Sequence, residues 1–336
     1  MKAKIGILGA GGWGTALAIL LESNGHSVHL WEYRSDVALE LSRTRENRDF
    51  LPGVNIPKKI KITSDLEEAV EKKDFILFTL PSHVVRSVGE KISKLELDNS
   101  LIVSCSKGIE NNTLLRMSQV ILETLPNFPE ERIVVLSGPS HAEEVSRKIP
   151  TVVVAASVSD KSANQVQKIF MCPTFRVYTS KDVIGVELGG ALKNIIAIAA
   201  GISDGVGFGD NTKAALMTRG IVEITRLGTA MGANSLTFAG LSGIGDLIVT
   251  CTSRHSRNRY VGEQLGKGKS LHEVLDGMVM IAEGVKTTRS ANDLSKNYNV
   301  EMPITREVYR VLFEGKKPKK AVYDLMTRNP KVEDWG

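Results

Sequence analysis

Cysteine is scarce in this chain. Three occur in 336 residues, Cys105, Cys172 and Cys251, and none is spaced as CxxC. An odd, scattered set excludes a disulfide framework and a cysteine zinc cluster, and leaves three small hydrophobes suited to a reducing compartment. The six histidines suggest no metal either. A dominant charge is also lacking: 43 Lys and Arg against 38 Asp and Glu leave a net +5, spread along the chain. That excludes the basic stripe of a nucleic-acid binder, while it suits small anionic ligands. No long apolar run goes uninterrupted. The most apolar stretch, 183–202, carries Glu187 and Lys193, whereas a membrane span needs about 20 predominantly apolar residues, so no membrane insertion is expected. The opening MKAKIGILGAGGWG begins as a signal peptide does, but it runs into glycines where the apolar segment should continue and has no small-residue cleavage site. A cytoplasmic protein is the expectation. Internal repeats and low-complexity segments are absent as well.

What is present divides the chain in two, as its length suggests at roughly 150 residues per domain. Short apolar runs at 4–8, 27–31, 75–79, 101–104, 133–136 and 151–155 lack polar alternation, the mark of strands buried on both faces. Helical periods at 15–23, 37–43, 65–71, 84–95 and 114–124 separate them. This alternation predicts right-handed crossovers and a mostly parallel, doubly wound sheet of Rossmann type. Near Val183 the strand pattern stops. Helical periods at 185–201, 213–231, 257–267, 270–276, 284–297 and 302–313 predict an all-helical second domain. The α/β class therefore has a dinucleotide-binding domain over 1–180 and a helical substrate-binding and catalytic domain over 181–336. The basic stretch 316–320 reads as a solvated loop before a last helix.

Gly9-Ala10-Gly11-Gly12-Trp13-Gly14 fits GxGxxG between a strand and an apolar helix. Gly9 permits the tight turn, Gly11 lets backbone approach a pyrophosphate, Gly14 lets helix and strand pack closely, and the helix N-terminus offers N–H groups to the phosphates. Placed there, the motif signals dinucleotide binding. The next strand ends in Trp31-Glu32-Tyr33-Arg34. An acid here can accept from the ribose of NAD and a nearby Arg can hold the 2′-phosphate of NADP, so cofactor preference stays open. Lys107, between Ser106 and Gly108, and the turn Gly138-Pro139-Ser140-His141-Ala142 follow later strands, where an open parallel sheet forms its ligand crevice. Lys107 reads equally as an exposed lysine, and His141 as a structural or exposed one. Lys193-Asn194 interrupts an apolar helix. Lys193 either snorkels to solvent or enters a cleft, and Gly189, Gly190 and Ala191 favour the cleft by leaving room for a ligand. Asp246 is the one acid in an apolar, glycine-punctuated segment and needs a partner, for which a lysine is the obvious choice. Ser256 reads as a helix cap followed by Arg257 and Asn258, basic and polar groups at the positive end of the macrodipole, a conflict that a bound phosphate would relieve.

These strings, GAGGWGTALA, LPSH, SCSKGIE, LSGPSHAEEV, ELGGALKNIIAIAAGISDGVGFGDNTKAAL, GLSGIGDLIVTC, SRNRYVG and AEGVKT, together resemble the bacterial NAD(P)-dependent glycerol-3-phosphate dehydrogenase family over essentially the whole chain. The resemblance implies reversible hydride transfer between NADPH or NADH, with NADPH slightly favoured, and dihydroxyacetone phosphate, giving sn-glycerol 3-phosphate for glycerophospholipid synthesis. It implies Lys193 as the acid/base, helped by Lys107 and Asp246. Substrate contacts would be Lys107, Gly138, Ser140, Lys193, Asp246, Ser256, Arg257 and Asn258. Cofactor contacts would be the glycine turn with Gly12 and Trp13, then Tyr33, Arg34, Lys107, Ala142, Arg257, Ile281 and Glu283. Family members often carry Ser-Tyr or Ala-Phe where this chain has Gly12-Trp13, which leaves the backbone role intact. A homodimer stays open. Rival readings are a two-domain dehydrogenase of a 2-hydroxy acid or sugar acid, with a carboxylate clamp, and a non-catalytic dinucleotide sensor.

Overall fold

The apolar runs of the first half assemble into one sheet. The computed structural model describes residues 2–97, 100–278, 281–330 and 332–333. Among these, ten strands form: β1 Lys4–Leu8, β2 Ser27–Trp31, β3 Glu46–Asn47, β4 Leu51–Asn55, β5 Lys61–Thr63, β6 Phe75–Phe78, β7 Leu101–Ser104, β8 Ile133–Ser137, β9 Thr151–Ala156 and β10 Phe175–Ser180. Eight make a sheet ordered β10-β9-β8-β7-β6-β1-β2-β5, and β3 and β4 form a separate antiparallel ribbon. Every neighbour in the large sheet is parallel except β8 with β9. Successive side chains of β6 enter two different cores, Phe75 and Leu77 one, Ile76 and Phe78 the other. A strand with a core on each face has no polar side to show, which is why its sequence reads as a continuous apolar run.

Two strands of this sheet, β5 and β10, lie outside the sequence expectation, and both are edges. β5 has three residues, and β10 alternates buried with exposed positions, so neither carries that run. The polar helix Asp160–Phe170 escapes for the same reason, although Ser159 caps it by accepting from the Ser162 N–H at 3.3 Å. The chain lays β1, β2 and β5 side by side and then returns to the other flank of β1 with β6. That reversal is a topological switch point, and ligands of open α/β sheets bind outside the strand C-termini there.

Two compact units result. The first runs to Lys107 and adds Leu115–Val186; the second takes Gly108–Leu114 and the chain from Glu187 on. β10 ends at Ser180 and the long helix Val183–Val206 follows. The short 108–114 excursion has no sequence signal. Ser290 holds it, its Oγ lying 3.2 Å from the Ile109 carbonyl and 3.0 Å from Asn111 Oδ1.

The second unit is helical, with Asp210–Ala230, Asp246–Thr252, Arg257–Gly266, Leu271–Asp276, Glu283–Asn297, Pro303–Phe313 and Pro318–Met326 following the long helix. By length and composition Val183–Val206 could cross a membrane, yet its residues are largely buried inside the protein, as in a core helix. Of the basic stretch 316–320, Lys316 and Lys317 lie in the loop before the last helix, as expected, and 318–320 form the first turn of that helix. Pro318 opens the last helix, where its missing N–H costs nothing, and Lys316 is held between Glu307 and Asp324.

Val183–Val206 and Arg257–Gly266 meet along a seam of glycines. A Cβ on Gly201 would collide with the Arg259 carbonyl, on Gly205 with that of Glu263, and on Gly262 with that of Ile198; on Gly266 it would lie 2.5 Å from the Ile202 carbonyl. Backbone touches backbone in both directions along two turns.

Candidate active site

In the first unit the glycine turn is built for close approach. Gly9 has φ +110°, open to glycine at little cost, and its N–H donates to the Trp31 carbonyl at 3.1 Å. A Cβ on Gly14 would collide with the Gly9 carbonyl, and one on Gly12 would sit 2.6 Å from the Phe50 carbonyl. Nothing lies within 4 Å of where a Gly11 Cβ would be. The helix Gly12–Ser23 starts with no side-chain cap and no acid in its first turn. Its leading N–H groups and positive end are therefore left for an anion, and open space lies above Gly11. These features fit a dinucleotide pyrophosphate.

Two residues absent from the sequence-based set hold this turn. Asn47, buried, donates through Nδ2 to the Ala10 carbonyl at 2.7 Å and to Thr15 Oγ1 at 2.9 Å. Thr79 Oγ1 lies 2.9 Å from both the Leu8 and the Gly9 carbonyls. Asn47 stands in a polar run with no marker of its role. Thr79 gives a faint one, a hydroxyl at the end of an otherwise apolar strand. The Trp13 indole Nε1 is buried with no hydrogen-bond partner among the described residues.

At the end of β2, Glu32 is buried and Tyr33 is 70% exposed. Glu32 Oε1 accepts the Arg34 N–H at 3.2 Å and lies 3.6 Å from Arg34 Nε. Burial pushes the Glu32 carboxyl above its usual range, and the Arg34 N–H and guanidinium pull it back. The guanidinium carbon is 5.7 Å from the centre of the Tyr33 ring.

Lys107, Gly138 and Ser140 come together. Lys107 Nζ donates to the Gly138 carbonyl at 3.1 Å, and Ser140 Oγ to the same oxygen at 2.8 Å. Gly138 has φ +138°, with Val153 Cα 3.0 Å from where a Cβ would be. His141 is the N-cap of the short helix Ala142–Val145. Ala142 faces the glycine turn, its Cβ 3.7 Å from a Cβ built on Gly12.

In the second unit Lys193 does not snorkel. It is 5% exposed, and its ammonium donates to the carboxylate of Asp246, itself 1% exposed, and to Thr250 Oγ1 at 2.7 Å. Thr250 Oγ1 in turn donates to the Asp246 carbonyl at 2.6 Å, one helical turn back. Thr250 was not among the residues read from sequence; its signal is the i, i+4 spacing from Asp246 on Asp246–Thr252. Gly189 serves a different purpose from the one expected. Its missing side chain makes room for the Ser242 backbone rather than for a ligand, since a Cβ would collide with the Ser242 carbonyl. This contact docks the Lys193 helix on the π-helical turn Leu241–Gly245, directly before Asp246. Cys251, next to Thr250, is inert: burial pushes its thiol up to about 12.

Ser256 caps Arg257–Gly266, its Oγ accepting from the Arg259 N–H at 3.2 Å. Arg259 braces the turn, donating from Nε to the Ser253 carbonyl at 3.1 Å and from Nη1 to Asp204 Oδ2 at 2.9 Å. Arg257 is exposed in the first turn, and Asn258 is buried beside it. Asn258 Oδ1 accepts the Gly284 N–H at 2.9 Å. With its oxygen committed, its Nδ2 is the end of the amide left to donate to an anion. Glu283 opens the helix Glu283–Asn297, and Ile281, two residues earlier, is 38% exposed.

Residues 4–163 match the family model described as NAD-dependent glycerol-3-phosphate dehydrogenase N-terminus, and residues 182–323 its C-terminal counterpart. A relative from Pelotomaculum thermopropionicum named glycerol-3-phosphate dehydrogenase (NAD(P)+) is 57% identical over 328 residues, 98% of this chain and 94% of its own. One of the same name from a Thermoanaerobacter species is 56% identical over 330 residues, 98% of each chain. The crystal structure of glycerol-3-phosphate dehydrogenase from Coxiella burnetii superposes with a TM-score of 0.93 at 38% identity, over 97% of this chain and 99% of that one.

Proposed function

Since the chain belongs to the NAD-dependent glycerol-3-phosphate dehydrogenase family, oxidoreductases that move a hydride between NAD(P)H and the dihydroxyacetone phosphate/glycerol 3-phosphate pair, we propose how its residues divide that work. The observation that carries the proposal is the buried Lys193, aimed by Asp246 and Thr250. Lys193 delivers the proton to the C2 oxygen of dihydroxyacetone phosphate as charge develops there, and takes it back in the reverse reaction. Asp246 offsets the cost of burying the ammonium, and Thr250 fixes its direction. The reduced nicotinamide, when bound, supplies the hydride. Lys107, Gly138 and Ser140 touch the substrate. The helix start at Ser256, Arg257 and Asn258 grips its phosphate, a handle remote from the reacting carbon whose binding energy orients it.

Gly9, Gly11, Gly12, Trp13 and Gly14 cradle the dinucleotide pyrophosphate, with Ala142, Arg257, Ile281 and Glu283 as further contacts. Tyr33 and Arg34 take the adenosine end. Both cofactors work, and Arg34 tips the balance slightly to NADPH by meeting the 2′-phosphate. The enzyme acts in the cytoplasm without inserting into a membrane, as a homodimer, and supplies glycerol 3-phosphate for glycerophospholipids.

Lys193→Ala tests the central role. Turnover should fall about 10²- to 10⁴-fold, the usual contribution of a general acid, while reduced cofactor still binds near normally by fluorescence. A variant that keeps more than about a tenth of parental turnover, against that expected range, removes Lys193 from proton transfer.

A further inference from the structure

We propose that Glu32 is a positioning residue for Arg34, and that through Arg34 it favours a 2′-phosphorylated dinucleotide instead of accepting from an unphosphorylated ribose. This rests on the reading that Arg34 meets the 2′-phosphate. Two contacts from one oxygen carry it: Glu32 Oε1 takes the Arg34 backbone N–H at 3.2 Å and stands 3.6 Å from Nε of the same residue. The backbone of Arg34 is thus hydrogen-bonded to the same oxygen that its guanidinium faces as an ion pair. The Glu32 side chain is 9% exposed and that of Arg34 43%, so the acid lies inside and the base is presented to ligand.

Arg34 is also the N-cap of the helix Ser35–Thr44, so that hydrogen bond holds the start of that helix. Glu32 is anchored too, its own N–H donating to the Thr63 carbonyl at 3.0 Å. The charge consequence runs opposite to that of a bare acid at a strand end. An unpaired carboxylate would repel a 2′-phosphate. One matched to a guanidinium is offset by it, and the guanidinium meets it at Nε, the inner end of the fork, so its outer N–H groups can turn to a phosphate. Asp36 is the other acid close to Glu32, and it takes part in neither contact.

Calorimetric binding of adenosine 2′,5′-bisphosphate and of AMP separates the possibilities without turnover. The ratio of the two dissociation constants isolates the 2′-phosphate. Arg34→Ala should lower the preference for the bisphosphate roughly tenfold or more, the loss of a charged hydrogen bond. Glu32→Ala should lower it about fivefold, within the range by which contacting side chains couple. Glu32→Gln should lower it less, since the amide oxygen still accepts the Arg34 N–H. Added to Arg34→Ala, Glu32→Ala should change the ratio no further. A higher preference for the bisphosphate in Glu32→Gln would mean that Glu32 reads the ribose, and overturns the inference. So does an unchanged ratio in both Glu32 variants, or a Glu32 effect that survives without Arg34. A silent Arg34→Ala removes the underlying reading of Arg34; an effective Arg34→Ala with silent Glu32 variants removes only the role of Glu32.

Discussion

The two candidate sites, the glycine turn of one unit and the Lys193 cluster of the other, are built from different materials. The glycine turn of the sheet unit offers backbone: N–H groups at the start of Gly12–Ser23, and glycines whose value lies in the atoms they lack. The helical unit works with buried polar side chains, Lys193 on one helix answered by Asp246 and Thr250 on another. A backbone site is specified by spacing within a dozen residues and fails by steric intrusion. A side-chain site is specified by packing across more than fifty residues and fails by losing a partner. Damage to the glycine turn should therefore show in affinity for cofactor, and damage to the Lys193, Asp246 and Thr250 cluster in turnover.

Gly14→Ala presses hardest on that contrast. The new methyl group meets a backbone carbonyl that cannot step aside, so the turn must shift, at a cost of about 1–3 kcal/mol. Reduced cofactor should bind roughly 10- to 100-fold more weakly by that cost, with substrate handling at saturating cofactor close to parental. Turnover lost at unchanged cofactor affinity would break the comparison. Arg257→Ala comes next. Losing a charged hydrogen bond to phosphate should raise the KM for dihydroxyacetone phosphate about tenfold, and sulfate should compete with substrate in the parent much more than in the variant. Equal inhibition of both places the anion elsewhere. Thr250→Val is the mildest. Removing one neutral hydrogen bond, worth about 1 kcal/mol, from the Lys193 ammonium should slow turnover about fivefold, and Thr250→Ser should restore it. If cofactor affinity changes instead, the contrast between the glycine turn and the Lys193 cluster is drawn in the wrong place.

The same contrast explains what was legible in the chain. The glycine turn could be read because its geometry demands one residue type at set positions. Lys193 and Asp246 stood out as charges in apolar surroundings, and the requirement that each find a partner pointed to the pair. Thr250 was hidden because a threonine in an apolar helix is unremarked until its neighbour is known. Asn47 carried no signal, since its two hydrogen bonds reach back 37 and 32 residues. Gly189 misled because room for a ligand and room for a backbone carbonyl ask for the same missing side chain. Glu32 and Arg34 stayed ambiguous in sequence because neighbouring opposite charges can face a ligand or each other; the structure has them facing each other. The central strands were evident and the edges were not, for β5 and β10 meet solvent and lose the continuous apolar run.

The glycine seam between Val183–Val206 and Arg257–Gly266 gives the helical unit something like a machinist's gauge. Lys193 lies eight residues before Gly201, about 12 Å along the axis at 1.5 Å per residue, and Arg257 lies five before Gly262. Because main chain rests on main chain there, the spacing between the backbone at Lys193 and the backbone at Arg257 is set by van der Waals contact of the two helices and not by the rotamers of the side chains around them. With Lys193 as the proposed proton donor and Arg257 as the proposed phosphate grip, that fixed backbone spacing favours one substrate length, and a substrate one carbon longer would have to be met by those two side chains alone.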